Sequence, residues 1–587
     1  MRALVSDIDY YDSEGLSHFF SRCLSKHRFN RRRYEFPMVF GSETEFGLTY
    51  GRVLDKGVAD FFPIDSPEIV FLPIIKKVAE KTKAFARNPM SPWLRSGLNH
   101  LDRTSIDKIT EAAISDDISC LPVKVKKTLK RTRLSARDFY LGETGIFLEE
   151  GSRLYIDGTH LESSISECRE PSETVCHEKA MERIITGVLP ELENVIGREI
   201  IILKDNTDRH GNSYGCHTNY LLKLEFFNQL YVKNEWSNAW LSFITSGIII
   251  TGSGKVGYEC DGEPCDYQIS QRADHFMNIF GGSTMHNRPL INFRDEPLAD
   301  NEKYGRFHVI LDDSNMAEWS IYLKIGTKAL VLNMLQHQFF EGEKTVQYKK
   351  LFIDSPIESL KFISRDLTCK KKILLSDGNE KSALEIQEEW LSFVEDFYSS
   401  SDFYPSWIPD VIAKWKLTLQ WIRDNDDNLD SVLDWRIKLS LIKGMKEKYA
   451  EKGITLDWQS GRIKNLDCLY HNLGPIGLYN RTLKAGHIKR IVTDEHIERA
   501  KTEPSENTRA WLRGRFIKHF LPHLVDASWE LLAFHIKIGD FETLVSLEMD
   551  PLRSTRREVG ELFAETDNYE SFCMKFLSMY LSDRSLF

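Results

Sequence analysis

The densest chemistry in the sequence lies between Lys204 and Tyr220, where Lys-Asp-Asn-Thr-Asp-Arg-His-Gly-Asn-Ser-Tyr-Gly-Cys-His-Thr-Asn-Tyr gathers acids, turn formers and histidine where a core would demand apolar residues. Turn chemistry alone would account for the Gly, Asn and Asp residues. The flanks argue for more: Ile200 to Leu203 read as a short buried strand, and Tyr220-Leu-Leu-Lys-Leu resumes an apolar pattern, so the polar stretch reads as a site slung between two elements. A second feature is Glu43 and Glu45. Two residues apart on a strand, they share a face. Among Val39, Phe40, Phe46 and Leu48 such carboxylates repel unless a cation lies between them, which points to a divalent metal. Third, Arg153, Tyr155 and Asp157 alternate with Leu154 and Ile156, which presents Asp157 on a polar strand face.

These residues need elements to position them. Alternation from Met38 to Tyr50 suggests the strand that carries the two glutamates, residues 145 to 165 read as strand and then loop, and 172 to 194 as one amphipathic helix with Asp, Glu and Ser at its start. Leu230 to Gly257 supplies a helix and a strand. Their end, Thr251-Gly-Ser-Gly-Lys-Val-Gly257, lacks the GxxxxGK[ST] spacing and is read as a glycine-rich turn close to a ligand. Phe307 to Leu311 forms another strand, and Asp312-Asp-Ser-Asn315 is expected to cap a helix running from Met316 to Leu335. The segment at about 55–145 reads as an insertion, with helical patches at Ile74–Ala86 and Asp107–Ala113 and a basic cluster of Lys124, Lys126, Lys127, Lys130, Arg131 and Arg133. Residues 1–36 are expected to form an N-terminal extension with an added helix and a solvated Arg31-Arg32-Arg33 turn. Residues 37–495 would be the catalytic domain, and 496–587 a small C-terminal domain.

Bulk properties narrow the function classes. With 587 residues, 42% of them apolar and 28% charged, the chain belongs to the globular class and can bury a large core. No stretch approaches the roughly 18 apolar residues of a membrane helix. A net charge of -10 argues against nucleic acid as a whole-protein partner. Ten scattered cysteines do not make a disulfide scaffold, and no secretory-signal pattern is read at the N-terminus, so the cytoplasm is the expected location. Cys260 and Cys265 lack a second pair at zinc spacing.

Five segments occur in an order and spacing that carry a family resemblance: Phe40-Gly-Ser-Glu-Thr-Glu-Phe-Gly47, Ser152-Arg-Leu-Tyr-Ile-Asp-Gly-Thr-His-Leu-Glu162, the 204–220 stretch, Gln268-Ile-Ser-Gln-Arg-Ala-Asp274 and Asn292-Phe-Arg-Asp-Glu-Pro297. From about Pro37 to about Leu562 the chain resembles the Pup ligase and depupylase family of the carboxylate-amine ligase superfamily, related to glutamine synthetase and gamma-glutamylcysteine ligase. The resemblance implies an α+β fold: a glutamine synthetase-like antiparallel sheet backed by helices, an ATP cradle on its concave face, and a small C-terminal domain. It implies Asp157 as general base toward an incoming amine or, in a hydrolase, as the group that attacks or activates water. By the same resemblance Glu43, Glu45 and Glu162 bind magnesium, Tyr155 and His217 line the nucleotide site, and Arg272, Arg294 and His308 contact phosphate.

The implied reaction moves the γ-phosphoryl group of ATP to a glutamate carboxylate, giving an acyl phosphate that a lysine amine attacks. Its cofactors are ATP and Mg2+. Its partners are a small disordered Pup-like protein or peptide and a lysine-bearing acceptor protein, with no membrane or nucleic-acid partner expected. Two alternatives stand beside the ligase: a depupylase-like amidase that keeps nucleotide as a cofactor, and an ATP-binding regulatory protein with reduced turnover. The sequence departs from the family pattern at Thr218, where Glu is usual, and at Phe293, where Thr is usual, and Gly158-Thr159 precede His160. Thr218 is expected to remove a negative charge and an outer metal contact beside the site.

Overall fold

The computed structural model describes residues 38–53, 59–62, 68–86, 145–157, 160–209, 211–232, 234–260, 262–282, 288–292, 296–399, 404–565 and 568–587. The N-terminal extension, the Asp107–Ala113 patch, the basic cluster at 124–133, Gly158-Thr159, Phe293 and Arg294 lie outside the described residues.

Strand-forming alternation accounts for most of the main sheet. In chain order its strands are β1 (Phe40–Val53), β2 (Ala59–Phe62), β3 (Ala84–Ala86), β4 (Ile146–Leu148), β5 (Arg153–Asp157), β6 (His160–Ser164), β7 (Glu199–Leu203) and β8 (Cys216–Lys223). A two-stranded ribbon follows, β9 (Lys255–Val256) with β10 (Tyr267–Gln268), and then β11 (Asn278–Gly281), β12 (Pro289–Asn292) and β13 (Tyr304–Val309) rejoin the sheet. The sheet runs β11-β12-β13-β8-β1-β6-β5-β4-β3, while β2 and β7 pair with the second half of β1. Its pairs are antiparallel apart from β11 with β12. This is the expected α+β architecture of an antiparallel sheet backed by helices.

One face of the sheet is dry. Phe40 and Phe46 of β1, Leu154 and Ile156 of β5, Tyr220 and Leu222 of β8 and Phe307 and Val309 of β13 all enter buried apolar clusters with the helices behind them. Behind the centre lies the helix Glu318–Phe340, buried on all sides over most of its length, with Lys328 among its few buried charges. It begins two residues later than expected, at Glu318, and without a side-chain cap. Asp434, from the helix Asp434–Ala450, accepts the N–H groups of Met316 and Ala317 at 3.1 and 3.0 Å. Asp313 instead accepts from the backbone of Ser253 and Gln271 at 2.9 and 2.8 Å. The acids at 312–315 therefore tie loops together, a role local spacing cannot distinguish from capping.

The single helix expected over 172–194 is two helices, Pro171–Thr186 and Leu189–Ile196. Gly187 ends the first and Pro190 occupies the opening turn of the second, where its missing N–H costs nothing. The start of the expected insertion joins the fold as the helix Glu68–Lys81 and the edge strand β3. Among the described residues no helix is long and apolar enough to cross a membrane.

Toward the C-terminus a separate apolar cluster gathers Trp511, Phe516, Phe534, Phe572 and Phe576, from the helices Ala510–Phe520 and Tyr569–Ser582 and a three-stranded sheet. Phe85 of β3 and Phe147 of β4 complete that cluster, so it is seated on the edge of the main sheet. Glu167, just beyond β6, accepts from Arg509 at 2.8 Å and pairs with the fully buried Arg513. Burial alone would raise the Glu167 carboxyl, but these two guanidinium groups hold it down to about 2.

Candidate active site

Register builds the site. In β1 the residues that alternate with the buried Ser42, Thr44 and Phe46 are Glu43 and Glu45, and they point to the opposite, open face. Glu43 lies opposite His217 of β8, Glu45 opposite Glu162 of β6, and Glu162 opposite Tyr155 of β5. Directly opposed residues share a face, so four strands place these side chains in one row, and a slip of one residue would bury them all in the helix layer.

The row contains two compact donor sets. Glu43, His217 and His308 offer ligand atoms within 4.8 Å of one another, and so do Glu45, Asp157 and Glu162. In the first set Glu43 Oε2 lies 3.3 Å from both His217 Nδ1 and His308 Nε2. Its other oxygen meets Arg306 at 3.2 Å and the Asn219 amide at 3.1 Å. The His308 contact is close but poorly aligned, and neither ring nitrogen of His308 has a hydrogen-bond partner. Burial holds the His308 imidazole down to about 4, the neutral form that ligates metals. Burial would raise Glu43, yet His308, His217 and Arg306 hold it well below the usual carboxylate range. At neutral pH the set is therefore a carboxylate beside neutral imidazole.

The second set is all oxygen. Burial, then the charges of Asp157, Glu43 and Glu45, push the Glu162 carboxyl well above its ordinary range. Burial, then the charges of Glu162, Glu43 and Asp157, raise the Tyr155 phenol, and the Arg153 guanidinium sits 4.2 Å from the Tyr155 ring centroid. Three carboxylates this close repel one another and could hold a cation between them. Glu45 is held by the Gly215 N–H at 2.8 Å. A Cβ at Gly215 would lie 2.5 Å from Glu45 Oε1 and 2.9 Å from the His217 ring, so only glycine lets this turn approach so closely.

The 204–220 stretch divides into two parts. Lys204 is buried against Glu178 and Glu182, both at 2.8 Å, and Asn206 ties Gln271 and Ser314, so the first residues anchor the loop. Only from Ser213 onward does it face the sheet's open side. Arg272, expected at phosphate, is buried: its Nη1 donates to the carbonyls of Cys216, Ile310 and Asp312, and its Nε donates to Ser213 Oγ at 3.2 Å. Arg294 lies outside the described residues. Thr218 requires a correction, because Cys216, Thr218 and Tyr220 point into the helix layer. Its hydroxyl donates to Asp312 at 2.6 Å, and Asp312 pairs with Lys328. The β pleat places this position behind the sheet, away from both donor sets.

Sequence reasoning did not single out Arg306, Asn219, His160, Gly215 or Arg288. The first two could have been found by alternation, since Arg306 and His308 are two apart on β13, and His217 and Asn219 two apart on β8. Arg288, which donates to Ser213 O at 2.9 Å, reaches the site only through the tertiary fold. Beside Glu43 and Arg306 opens a cleft walled by Leu298, Trp529 and Pro551.

With this geometry in place, comparison with known proteins is decisive. The family model described as Pup-ligase protein matches residues 38–533. The chain belongs to the Pup-ligase family. A protein named depupylase from Acidothermus cellulolyticus is 35% identical over 428 residues, 72% of this chain and 81% of that one. A Pup–protein ligase from a Nocardioides species is 36% identical over 428 residues, 71% of this chain and 90% of its own. Among solved structures, the complex between the prokaryotic ubiquitin-like protein Pup and its ligase PafA aligns with a TM-score of 0.67 at 26% identity, covering 90% of this chain and 92% of that one. PafA in complex with ADP aligns with a TM-score of 0.61 at 30% identity, covering 72% and 89%. The family resemblance, the fold class and the enzyme class expected from the sequence are borne out.

Proposed function

We propose that this member of the Pup-ligase family is an ATP- and magnesium-dependent ligase that joins a glutamate side chain of a small Pup-like protein to a lysine amine of an acceptor protein, acting in the cytoplasm. The observation that carries the reading is the pair of donor sets on one face of β1, one of them made wholly of carboxylates. Hard oxygen ligands and uncompensated negative charge suit Mg2+. Glu45 and Glu162 would hold one ion, with Asp157 beside them left for the acceptor step, and Glu43, His217 and His308 a second. Bound there, magnesium neutralises the polyphosphate and the charge that develops during phosphoryl transfer.

The chain's own residues do the rest. The cleft against Leu298 and Trp529 takes the flat base of the nucleotide and leads its phosphates toward Glu43. Arg306 and Arg288 supply positive charge, and Arg272 fixes the loop from Ser213 to Cys216 while adding its own. Asp157, only half-buried at the end of β5, takes the proton of the incoming amine. Lys328 and Asp312 support β8 from behind.

The names of the relatives divide between ligase and depupylase, so direction is the point to test. Purified protein is incubated with Mg-ATP, a Pup-like peptide ending in glutamate and a lysine-rich acceptor. ATP-dependent appearance of an isopeptide conjugate is expected. Cleavage of a preformed conjugate with no ligation would establish the amidase instead, and nucleotide binding with neither reaction would establish the regulatory protein.

A further inference from the structure

Outside the carboxylate row, a loop and a neighbouring turn align three groups in the order of a nucleophile, a base and an orienting acid. Cys260 Sγ lies 3.4 Å from His275 Nδ1, and His275 Nε2 lies 3.2 Å from Glu259 Oε2. Cys260 is exposed, whereas His275 is buried on the short turn Ala273–His275. We propose that Cys260, His275 and Glu259 form a second nucleophilic site, a thiol-imidazole-carboxylate relay that accepts an acyl group from an activated acyl donor such as an ester, a thioester or an acyl phosphate.

The three groups are built into place. Glu259 Oε2 also accepts from Thr207 Oγ1 at 2.6 Å and pairs with the buried Lys255, while the Glu259 N–H donates to Asp274 at 3.0 Å. Asp274, the residue before His275, is itself held by Gln268 at 2.8 Å and Arg365 at 2.7 Å. The loop and the turn are thus tied together on both sides of the Cys–His contact. Cys260 has φ 55, a left-handed conformation unusual for a residue with a Cβ and of the kind stored at functional positions.

Electrostatics agree with the geometry. Burial would raise Glu259, but His275, Lys255 and Thr207 hold its carboxyl down to about 2. Burial lowers the His275 imidazole against the opposing pull of Glu259, with Lys255 and Arg288 adding to the lowering. A neutral imidazole whose Nε2–H points at a carboxylate leaves Nδ1 as an acceptor for the thiol proton. The charges facing His275 are thus Glu259, Lys255 and Arg288, with the Cys260 thiol. Arg288 interacts with both Glu45 and Cys260, which links this loop to the carboxylate row.

In the reaction, His275 Nδ1 takes the thiol proton and the sulfur attacks the acyl carbon. The C–S bond forms as the bond from that carbon to the leaving group breaks, and the leaving group departs with the proton from His275. Water or an amine then cleaves the thioester and regenerates the thiol. No oxidant or reductant is needed. The site does not depend on the ligase reading for its chemistry; that reading bears only on which acyl group would reach it.

The test is acetylation of the whole protein by p-nitrophenyl acetate, with the adduct located by peptide fragmentation. Cys265 is the internal comparator. It lies five residues along and has a thiol that burial pushes up. The expected result is release of nitrophenol at Cys260 at least about tenfold faster than at Cys265, slowed on the order of 100-fold by His275→Gln and less by Glu259→Gln. In the wild-type protein the rate should level off near neutral pH. An unassisted thiol would instead keep rising about tenfold per pH unit toward the ordinary cysteine pKa of about 8.5. This profile needs no variant, so it decides the matter even if His275→Gln unfolds. Equal labelling of the two cysteines, or a wild-type rate that climbs like that of a free thiol, would overturn the proposal.

Discussion

At Glu162, burial and the carboxylates of Asp157, Glu43 and Glu45 combine to raise the carboxyl well above its ordinary range. Without a cation the group favours its proton, and a metal entering the set must displace it. Magnesium addition to chelator-treated protein should therefore release protons. Calorimetry in two buffers of different ionisation heat measures the release, and apparent affinity should rise with pH through the titration of Glu162. Buffer-independent heats, or proton release unchanged in Glu162→Gln, would remove Glu162 from the metal site. Asp157 is the residue whose role is most sharply divided, because it shares the oxygen set yet is only half-buried at the end of β5. As the general base, Asp157→Asn should bind Mg-ATP within a few-fold of wild type and lose product formation by on the order of 100-fold. A matching loss of nucleotide affinity would make Asp157 a metal ligand in the first place.

At the level of elements, β8 separates what faces the reaction from what supports it. His217 and Asn219 point to the donor sets, whereas Thr218 donates to Asp312 in the helix layer. Thr218→Val should cost about 1–2 kcal/mol of stability, the scale for leaving a buried partner unsatisfied, with Mg-ATP affinity unchanged. Thermal or urea unfolding beside a binding isotherm checks both halves. A large loss of affinity at full stability would put position 218 back in the site. The pleat that makes this distinction was legible: alternation located β1, β5 and the strand at Phe307. Helix boundaries were less legible at 172–194, where Gly187 and Pro190 divide one amphipathic pattern into two helices, and at 312–315, where acids that look like caps bind the backbone of other loops.

For the whole molecule, the C-terminal helix Ala510–Phe520 and the main sheet are joined by Glu167, Arg509 and Arg513. Because the folded Glu167 pKa of about 2 lies below the ordinary glutamate value, its stabilisation is complete above about pH 4.3 and is lost as pH falls toward 2. Glu167→Gln leaves two guanidinium groups with less compensation and should cost about 3 kcal/mol at pH 7. Unfolding by urea at pH 7 and pH 3 should show the gap between wild type and variant shrinking in acid. A pH-independent gap would mean the pair does not hold these parts together. Arg509 and Trp529 also wall the cleft beside Glu43, so the same variant should weaken nucleotide binding more than a surface change of equal stability cost.

The sequence by itself determined the family and, through it, the sheet-and-helix class and a role for Glu162, and it marked Glu43, Glu45, Asp157 and His217 as residues out of place in an apolar setting. These are local signals: period-two alternation, and charge where burial demands none. Tertiary structure alone decided which residues meet. Glu43 finds His308 across two strand pairings, Glu45 finds Asp157 and Glu162 across two others, and Arg306 and Arg288 arrive from strands and loops more than 200 and 70 residues away from Glu43 and Ser213 in the chain. Register sets those encounters, and register comes from long-range pairing, which no local window contains.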